Sequence, residues 1–142
     1  MNINIFYDQV SFRLKGKAKI LELIKKVIRS EKKIPGDLNI IITNDDSLLS
    51  INREFLKHNY FTDVIAFDYS SGKIVSGEIY VSFDTIKRNA SNYKVSLKKE
   101  FLRVIIHGTL HLCGYNDSNS VEKDNMHKLE DKWIIEYERI VL

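Results

Sequence analysis

Two of the chain's four histidines, His107 and His111, lie four residues apart in the stretch "HGTLHLCGYND". The residues before and between them have the apolar pattern of a helix. On a helix, side chains four positions apart project in similar directions and are separated by about 6 Å along the axis. The two imidazoles can therefore converge on one metal ion. Because the same spacing also arises by chance, the pair alone supports a metal site and a pair of core histidines about equally.

The residues that follow His111 favour the metal site. They complete the pattern H-x-x-G-x-x-D, in which Gly114 ends the helix and lets the chain turn back, so that Asp117 becomes a third candidate ligand. Two imidazoles and one carboxylate suit a zinc ion whose fourth position stays open. Cys113 would project from the opposite side of the helix, where we expect it to be buried packing. The sequence thus predicts a Zn²⁺ site formed by His107, His111 and Asp117.

Strands and helices that could position this site are interspersed along the chain. "NINIFY" and "DLNIIIT" have the pattern of strands, and "DVIAFDY" and "IVSGEIYVS" that of a hairpin. Pro35 and Gly36 are expected to end the first helix. Helices are predicted over residues 18–33, 46–57, 82–91, 96–114 and about 120–138. The fold class is therefore α+β, with a mixed sheet of about four strands, four to five helices, and the metal site near the end of a central, largely apolar helix.

Length and composition favour one domain. With 142 residues, 44% of them hydrophobic, the chain can bury one core but is short for two, so we expect a single domain over residues 1–142. It has no apolar run of about 18 residues, and its start lacks the basic and apolar segments of an export signal. The single cysteine cannot form an internal disulfide. We expect a cytoplasmic protein with no membrane partner.

The charge distribution bears on the choice of partner. The net charge is only +3, but residues 1–35 contain nine Lys and Arg against three Asp and Glu. A basic segment favours a polyanion such as nucleic acid, although a solvated helix face is the commoner explanation.

The histidine motif differs from that of metallopeptidases at one important position. The metzincin signature is H-E-x-x-H-x-x-G-x-x-H, and Gly108 stands where its glutamate belongs. That glutamate takes a proton from the attacking water, which glycine cannot do. Peptidase activity is therefore disfavoured, whereas zinc could still promote hydrolysis of a phosphodiester.

The motif "HGTLHLCGYND" resembles the H-G-x-L-H-L-x-G-Y-D-H signature of the YbeY family of bacterial endoribonucleases. The resemblance continues in "TDVIAFDY", in "SGEIYVS", and in Glu122 and Met126, and it covers roughly residues 44–130. It implies zinc-dependent cleavage of single-stranded RNA in ribosomal RNA maturation, including 16S rRNA 3′ end processing, and in ribosome quality control. The implied partners are rRNA precursors and the small ribosomal subunit. The family's ligands are three histidines, so His107 and His111 carry over directly, whereas Asp117 departs from the pattern.

A second departure from the family lies upstream, in "INREFLKHNYFTDV". The family's functional arginine falls on Leu56, its lysine on His58 and its proline on Phe61. A leucine in an amphipathic helix is equally well a core residue. Lys57 or Arg53 could supply the phosphate contact instead.

These considerations give two further sets of candidate residues. The candidate catalytic residues are Lys57, His58 and Asp63. The candidate RNA-binding residues are Arg53, Lys57, Lys98 and Arg103. For most of them a structural explanation stays open, such as a solvated face for the basic residues of the histidine helix. The leading hypothesis is a zinc-dependent endoribonuclease, and the alternatives are a non-catalytic RNA-binding assembly factor with a structural metal site and, less favoured, a small metallopeptidase.

Overall fold

Four strands and five helices follow one another in the computed structural model, which describes residues 2–141. The strands are β1 (Ile3–Tyr7), β2 (Ile34–Thr43), β3 (Val64–Asp68) and β4 (Ile74–Ser82). The helices are α1 (Lys17–Ser30), α2 (Asp45–Leu56), α3 (Phe83–Tyr93), α4 (Leu97–Leu112) and α5 (Ser120–Arg139). The α+β class predicted from the sequence is confirmed. Met1 and Leu142, the ends of the predicted domain, lie outside the described residues.

The four strands form one mixed sheet in the order β1-β2-β4-β3. β1 and β4 both run parallel to β2, and β3 runs antiparallel to β4. A bridge between Ser71 and Ile74 closes the turn between β3 and β4, so the predicted hairpin is confirmed. None of the helices in residues 2–141 is long and apolar enough to cross a bilayer.

The predicted role of Pro35 and Gly36 is wrong. Helix α1 already ends at Ser30, and both residues belong to β2. The register between β2 and β4 shifts between Pro35 and Leu38, and the pairing of β2 with β1 begins at Leu38. A proline has no N–H to donate to a sheet ladder, and strands accept it at irregularities of this kind.

Helix α4 is the central element of the fold. It contacts α1, α3, α5, β3 and β4, as its apolar sequence predicted. Its buried apolar side chains are those of Phe101, Leu102, Val104, Ile105, Ile106, Leu110 and Leu112. Because α4 is held on several sides by packed side chains, the residues near its C-terminal end have a fixed position.

Candidate metal centre and the adjoining cleft

The structure brings the three predicted metal ligands together. His107 and His111 lie on the C-terminal half of α4, with their Nε2 atoms 3.0 Å apart. The carboxylate of Asp117 comes from the loop after the helix, and its Oδ2 lies 3.2 Å from Nε2 of His107 and 3.5 Å from Nε2 of His111. One ligand atom from each residue lies within 4.8 Å of the other two.

A tight turn after α4 places the carboxylate. Gly114 has a φ of 103°, a backbone conformation that side-chain-bearing residues rarely adopt, and its N–H donates to the carbonyl of His111 at 3.0 Å. The hydroxyl of Tyr115 donates to the carboxylate of Glu31 at 2.9 Å, which ties the loop to the end of α1. The turn predicted from Gly114 therefore returns the chain so that Asp117 faces the helix it has just left.

The outer nitrogens of both imidazoles are engaged by acceptors. Nδ1 of His111 lies 2.9 Å from the carbonyl oxygen of Tyr115, and Nδ1 of His107 lies 2.7 Å from Oε2 of Glu130. A carbonyl can only accept, so Nδ1 of His111 carries the proton and its Nε2 presents a lone pair. The carboxylate of Glu130 likewise only accepts, so in neutral His107 the proton is on Nδ1 and the lone pair on Nε2. Two lone pairs and the carboxylate of Asp117 then converge, an arrangement that a divalent cation would stabilise and that is usual for metal-ligating histidines.

Glu130 is the main residue of this centre that the sequence did not identify. It lies on α5, is only 1% exposed, and its Oε1 accepts from Nη1 of Arg103 at 3.1 Å. The other arm of Arg103, Nη2, donates to Asp131 at 2.6 Å. Burial alone would lower the pKa of His107, but the hydrogen bond and charge of Glu130, together with the charges of Asp117 and Asp63, raise it above its usual value.

Gly108, between the two histidines, has no room for a side chain. A Cβ at this position would lie 2.8 Å from Cγ2 of Ile79 in β4. Helix α4 therefore packs here directly on the sheet. The missing side chain at the position of the metallopeptidase glutamate thus matches the packing, and a glutamate here would force Ile79 or the helix to shift.

A cleft of about 550 Å³ opens beside the three ligands. One wall is formed by His107, His111, Tyr115 and Asp117, and the other by α2 and the segment after it, including Asn52, Leu56, His58, Tyr60 and Asp63. The expectation that Leu56 could be a core residue is wrong, since its side chain is 39% exposed and lines this cleft. The reason is that α2 ends here, with its last turn at the cleft wall.

The candidate catalytic residues lie at or next to this cleft. His58 and Asp63 line it. Lys57, the residue after α2, has a φ of 58° and adjoins the lining residues Leu56 and His58 in sequence, but does not itself line the cleft. Its Nζ donates to the carbonyl of Glu54 at 3.4 Å. Burial raises the pKa of Asp63 above its usual value, although the charge of His107 opposes the shift.

The candidate RNA-binding residues do not form one group. Arg53 lies on α2, where its Nε donates to Oδ1 of Asn59, close to the cleft wall. Arg103 is paired with two carboxylates one helical turn before His107. Lys98, near the start of α4, donates to the carbonyl of Lys15 and is about 14 Å from His107 along the helix axis. Arg53 and Lys57 are thus the two basic candidates beside the α2 wall.

Comparison with known proteins decides which family this centre belongs to. Residues 6–138 match the family model described as Endoribonuclease YbeY. The chain belongs to the YbeY family. The match extends well beyond the residues 44–130 on which the resemblance was based.

Named members of the YbeY family are similar to the chain over most of its length. A protein of Flavobacterium psychrophilum named Endoribonuclease YbeY is 39% identical over 89% of this chain and 91% of its own. A Bacteroides thetaiotaomicron protein of the same name is 42% identical over 82% and 85%, respectively. The solution structure of a Thermotoga maritima protein superposes with a TM-score of 0.64 at 27% identity and covers 96% of this chain and 89% of that one. The chain therefore shares its fold with that protein over most of its length.

Proposed function

We propose that this YbeY-family chain is a zinc-dependent endoribonuclease that cleaves single-stranded RNA. The observation that carries the proposal is the convergence of two imidazole nitrogens and one carboxylate at the wall of an open cleft, in a chain whose relatives are named endoribonucleases. The proposed substrates are rRNA precursors, with processing at the 3′ end of 16S rRNA, and the proposed partner is the small ribosomal subunit. We place the activity, together with a role in ribosome quality control, in the cytoplasm, which is consistent with the free Cys113.

The donor set fits zinc. His107, His111 and Asp117 would hold the ion through two nitrogens and one oxygen, a combination that zinc accepts in catalytic sites with an open position. When bound, zinc would supply Lewis acidity for attack on a phosphodiester. Glu130 and the carbonyl of Tyr115 fix the orientation of the two imidazoles before the ion arrives.

His58 and Asp63 are the proposed proton-transfer groups of the cleft. Both line it together with the metal ligands. Nδ1 of His58 lies 2.9 Å from the hydroxyl of Tyr60, which holds the ring in place. The raised pKa of Asp63 keeps its carboxyl protonated to higher pH than an exposed aspartate, so it can donate a proton as well as accept one.

The end of α2 is the proposed phosphate contact. Lys57 adjoins Leu56, the position on which the family's arginine falls, and Arg53 lies one turn earlier on the same helix. Lys98 and Arg103 would contact RNA farther along α4, and Arg103 would have to exchange a carboxylate partner to do so. A lysine next to this wall can supply the positive charge, although it lacks the planar, bidentate geometry of arginine.

Replacing Lys57 by alanine should lower kcat for single-stranded RNA cleavage by about tenfold or more, while weakening RNA binding only slightly. The reason is that a charge beside the reacting phosphate stabilises the transition state more than the bound substrate. The slope of the logarithm of the RNA binding constant against the logarithm of the salt concentration should become less steep. The expected change is about 0.7 for each phosphate that the variant no longer neutralises. Lys73→Ala, in the exposed turn between β3 and β4, is the matched control and should cleave normally. Normal cleavage by Lys57→Ala would place the cation elsewhere.

The proposed activity itself is tested by comparing metal-loaded and chelated protein on single-stranded RNA, duplex RNA and casein. We expect cleavage of single-stranded RNA that disappears on chelation and returns with Zn²⁺, little cleavage of duplex, and intact casein. RNA binding without cleavage under all metal conditions would support the assembly-factor alternative instead. Degradation of casein would support the metallopeptidase.

A further inference from the structure

An aromatic pair stands at the wall of the metal cleft. The rings of His58 and Tyr60 are stacked, with centroids 5.2 Å apart and an angle of 19° between their planes. Both side chains are exposed, Tyr60 by 56%, and both line the cleft that contains His107 and Asp117. A large aromatic ring left open to solvent inside a polar cleft contributes little to the core.

The segment that carries this pair, residues 58–60, is held in place by hydrogen bonds to helix α2. Asn52 on α2 is only 1% exposed, and its Nδ2 donates to the carbonyl of Tyr60 at 2.9 Å. Its own carbonyl accepts from the N–H of His58 at 3.1 Å. Arg53 donates to the side chain of Asn59, between the two rings in sequence. Three consecutive residues are thus held by α2, so the stack is in place before any ligand binds.

We propose that Tyr60, backed by His58, is a stacking platform for one unpaired nucleobase of the RNA substrate. The proposal rests on the endoribonuclease function proposed above and adds a specificity element to it. An exposed aromatic face accepts any base, because every base offers a π-face, whereas a base held within a duplex cannot reach it. The platform and the metal ligands share one cleft, so the stacked nucleotide lies close to the scissile phosphate. Stacking on Tyr60 would give the proposed preference for single-stranded RNA without any base-specific contact.

The alternative role of Tyr60 is to hold His58 through its hydroxyl, and two variants separate the roles. Tyr60→Phe keeps the ring and removes the hydroxyl, whereas Tyr60→Ala removes both. The backbone anchor to Asn52 uses the carbonyl of Tyr60, so neither variant disturbs it. Tyr69→Ala is the matched control, because Tyr69 is 62% exposed, bonds to Glu78, and is not among the residues lining the cleft.

The experiment combines these variants with a single-stranded RNA oligonucleotide and a series in which one nucleotide at a time is abasic. Binding is measured by fluorescence anisotropy on the chelated full chain, and KM and kcat on the metal-loaded protein. We expect Tyr60→Ala to weaken binding about five- to fiftyfold and Tyr60→Phe and Tyr69→Ala to bind like the wild type. One abasic position should weaken wild-type binding similarly but have no further effect in Tyr60→Ala, which is the signature of a direct contact.

The outcomes distinguish this platform from the activity. If the wild type cleaves RNA but the effects of Tyr60→Ala and of every abasic position are additive, the platform is refuted and the nuclease stands. If one abasic position weakens binding by the wild type but not by Tyr60→Ala, and no RNA is cleaved under any metal condition, the platform stands and the nuclease is refuted. A Tyr60→Phe variant as defective in binding as Tyr60→Ala would show that the hydroxyl, not the ring face, is what matters, and would also refute the platform.

Discussion

Replacing either His107 or His111 by alanine should abolish stoichiometric metal binding and reduce RNA cleavage by at least about a hundredfold. Each variant removes one of two imidazoles and leaves a single histidine and a carboxylate, too few ligands for a tight zinc site. Elemental analysis after dialysis should give about one metal per wild-type chain and close to none in either variant. Cleavage of single-stranded RNA should fall in parallel with metal content.

Lys128, which lies on α5 and lines neither the metal cleft nor the neighbouring cavity around Glu130, provides the control for this experiment. It is exposed, and Lys128→Ala should keep both metal and activity. Circular dichroism would verify that all three variants are folded. Full metal occupancy in both His107→Ala and His111→Ala would contradict the proposed centre, and an empty site with unchanged cleavage would make the metal structural.

The convergence of His107, His111 and Asp117 was predictable because it depends on local geometry. A spacing of four residues on a helix brings two imidazoles to one face, and a glycine that ends the helix reverses the chain. Both rules act within the eleven residues from His107 to Asp117 and need no knowledge of the rest of the fold. The structure adds that the turn is closed by backbone hydrogen bonds to α4, so the carboxylate returns to the same face.

The helix starts were predictable for the same reason. Asn44, Ser82 and Asn119 each have an extended backbone conformation, and each side chain accepts a hydrogen bond from a backbone N–H of the first turn of its helix. Such caps are fixed by residues three positions apart. The place of Pro35 in β2 could not be predicted in this way, because it depends on which strands pair with β2 at that point, and those strands lie far away in the sequence.

The outer parts of the centre could not be predicted, because they depend on how distant elements pack. Glu130 is separated from His107 by 23 residues, and only the contact of α5 with α4 brings their side chains within 2.7 Å. In the sequence it appears as one of several charges on an exposed-looking helix. Leu56 is the reverse case, an apolar residue that looks buried in the sequence but is exposed in the structure. It belongs to the apolar stripe of α2 but is the last residue of that helix, where the packing against the core ends.

The position of Asp117 shows how the departure from the three-histidine pattern is accommodated. Its Oδ2 approaches both imidazoles to within 3.5 Å, so the carboxylate lies where it could serve as the third ligand. A carboxylate adds negative charge to the centre, which already includes Glu130 behind His107. In the proposed centre, this negative charge would favour a bound divalent cation.

Replacing Glu130 by glutamine should lower zinc affinity by about ten- to a hundredfold, the usual cost of losing the acidic partner of a metal-ligating histidine. Glutamine has nearly the same shape, so the buried site stays filled, but it can no longer act as a charged acceptor for Nδ1 of His107. Asp131→Asn is the matched control, because Asp131 contacts the same Arg103 at 2.6 Å but not the histidine. Competition with a zinc-binding dye should therefore show weakened affinity for Glu130→Gln and wild-type affinity for Asp131→Asn. Equal affinities in all three proteins would mean that Glu130 supports the packing of α5 on α4 and does not tune the ligand.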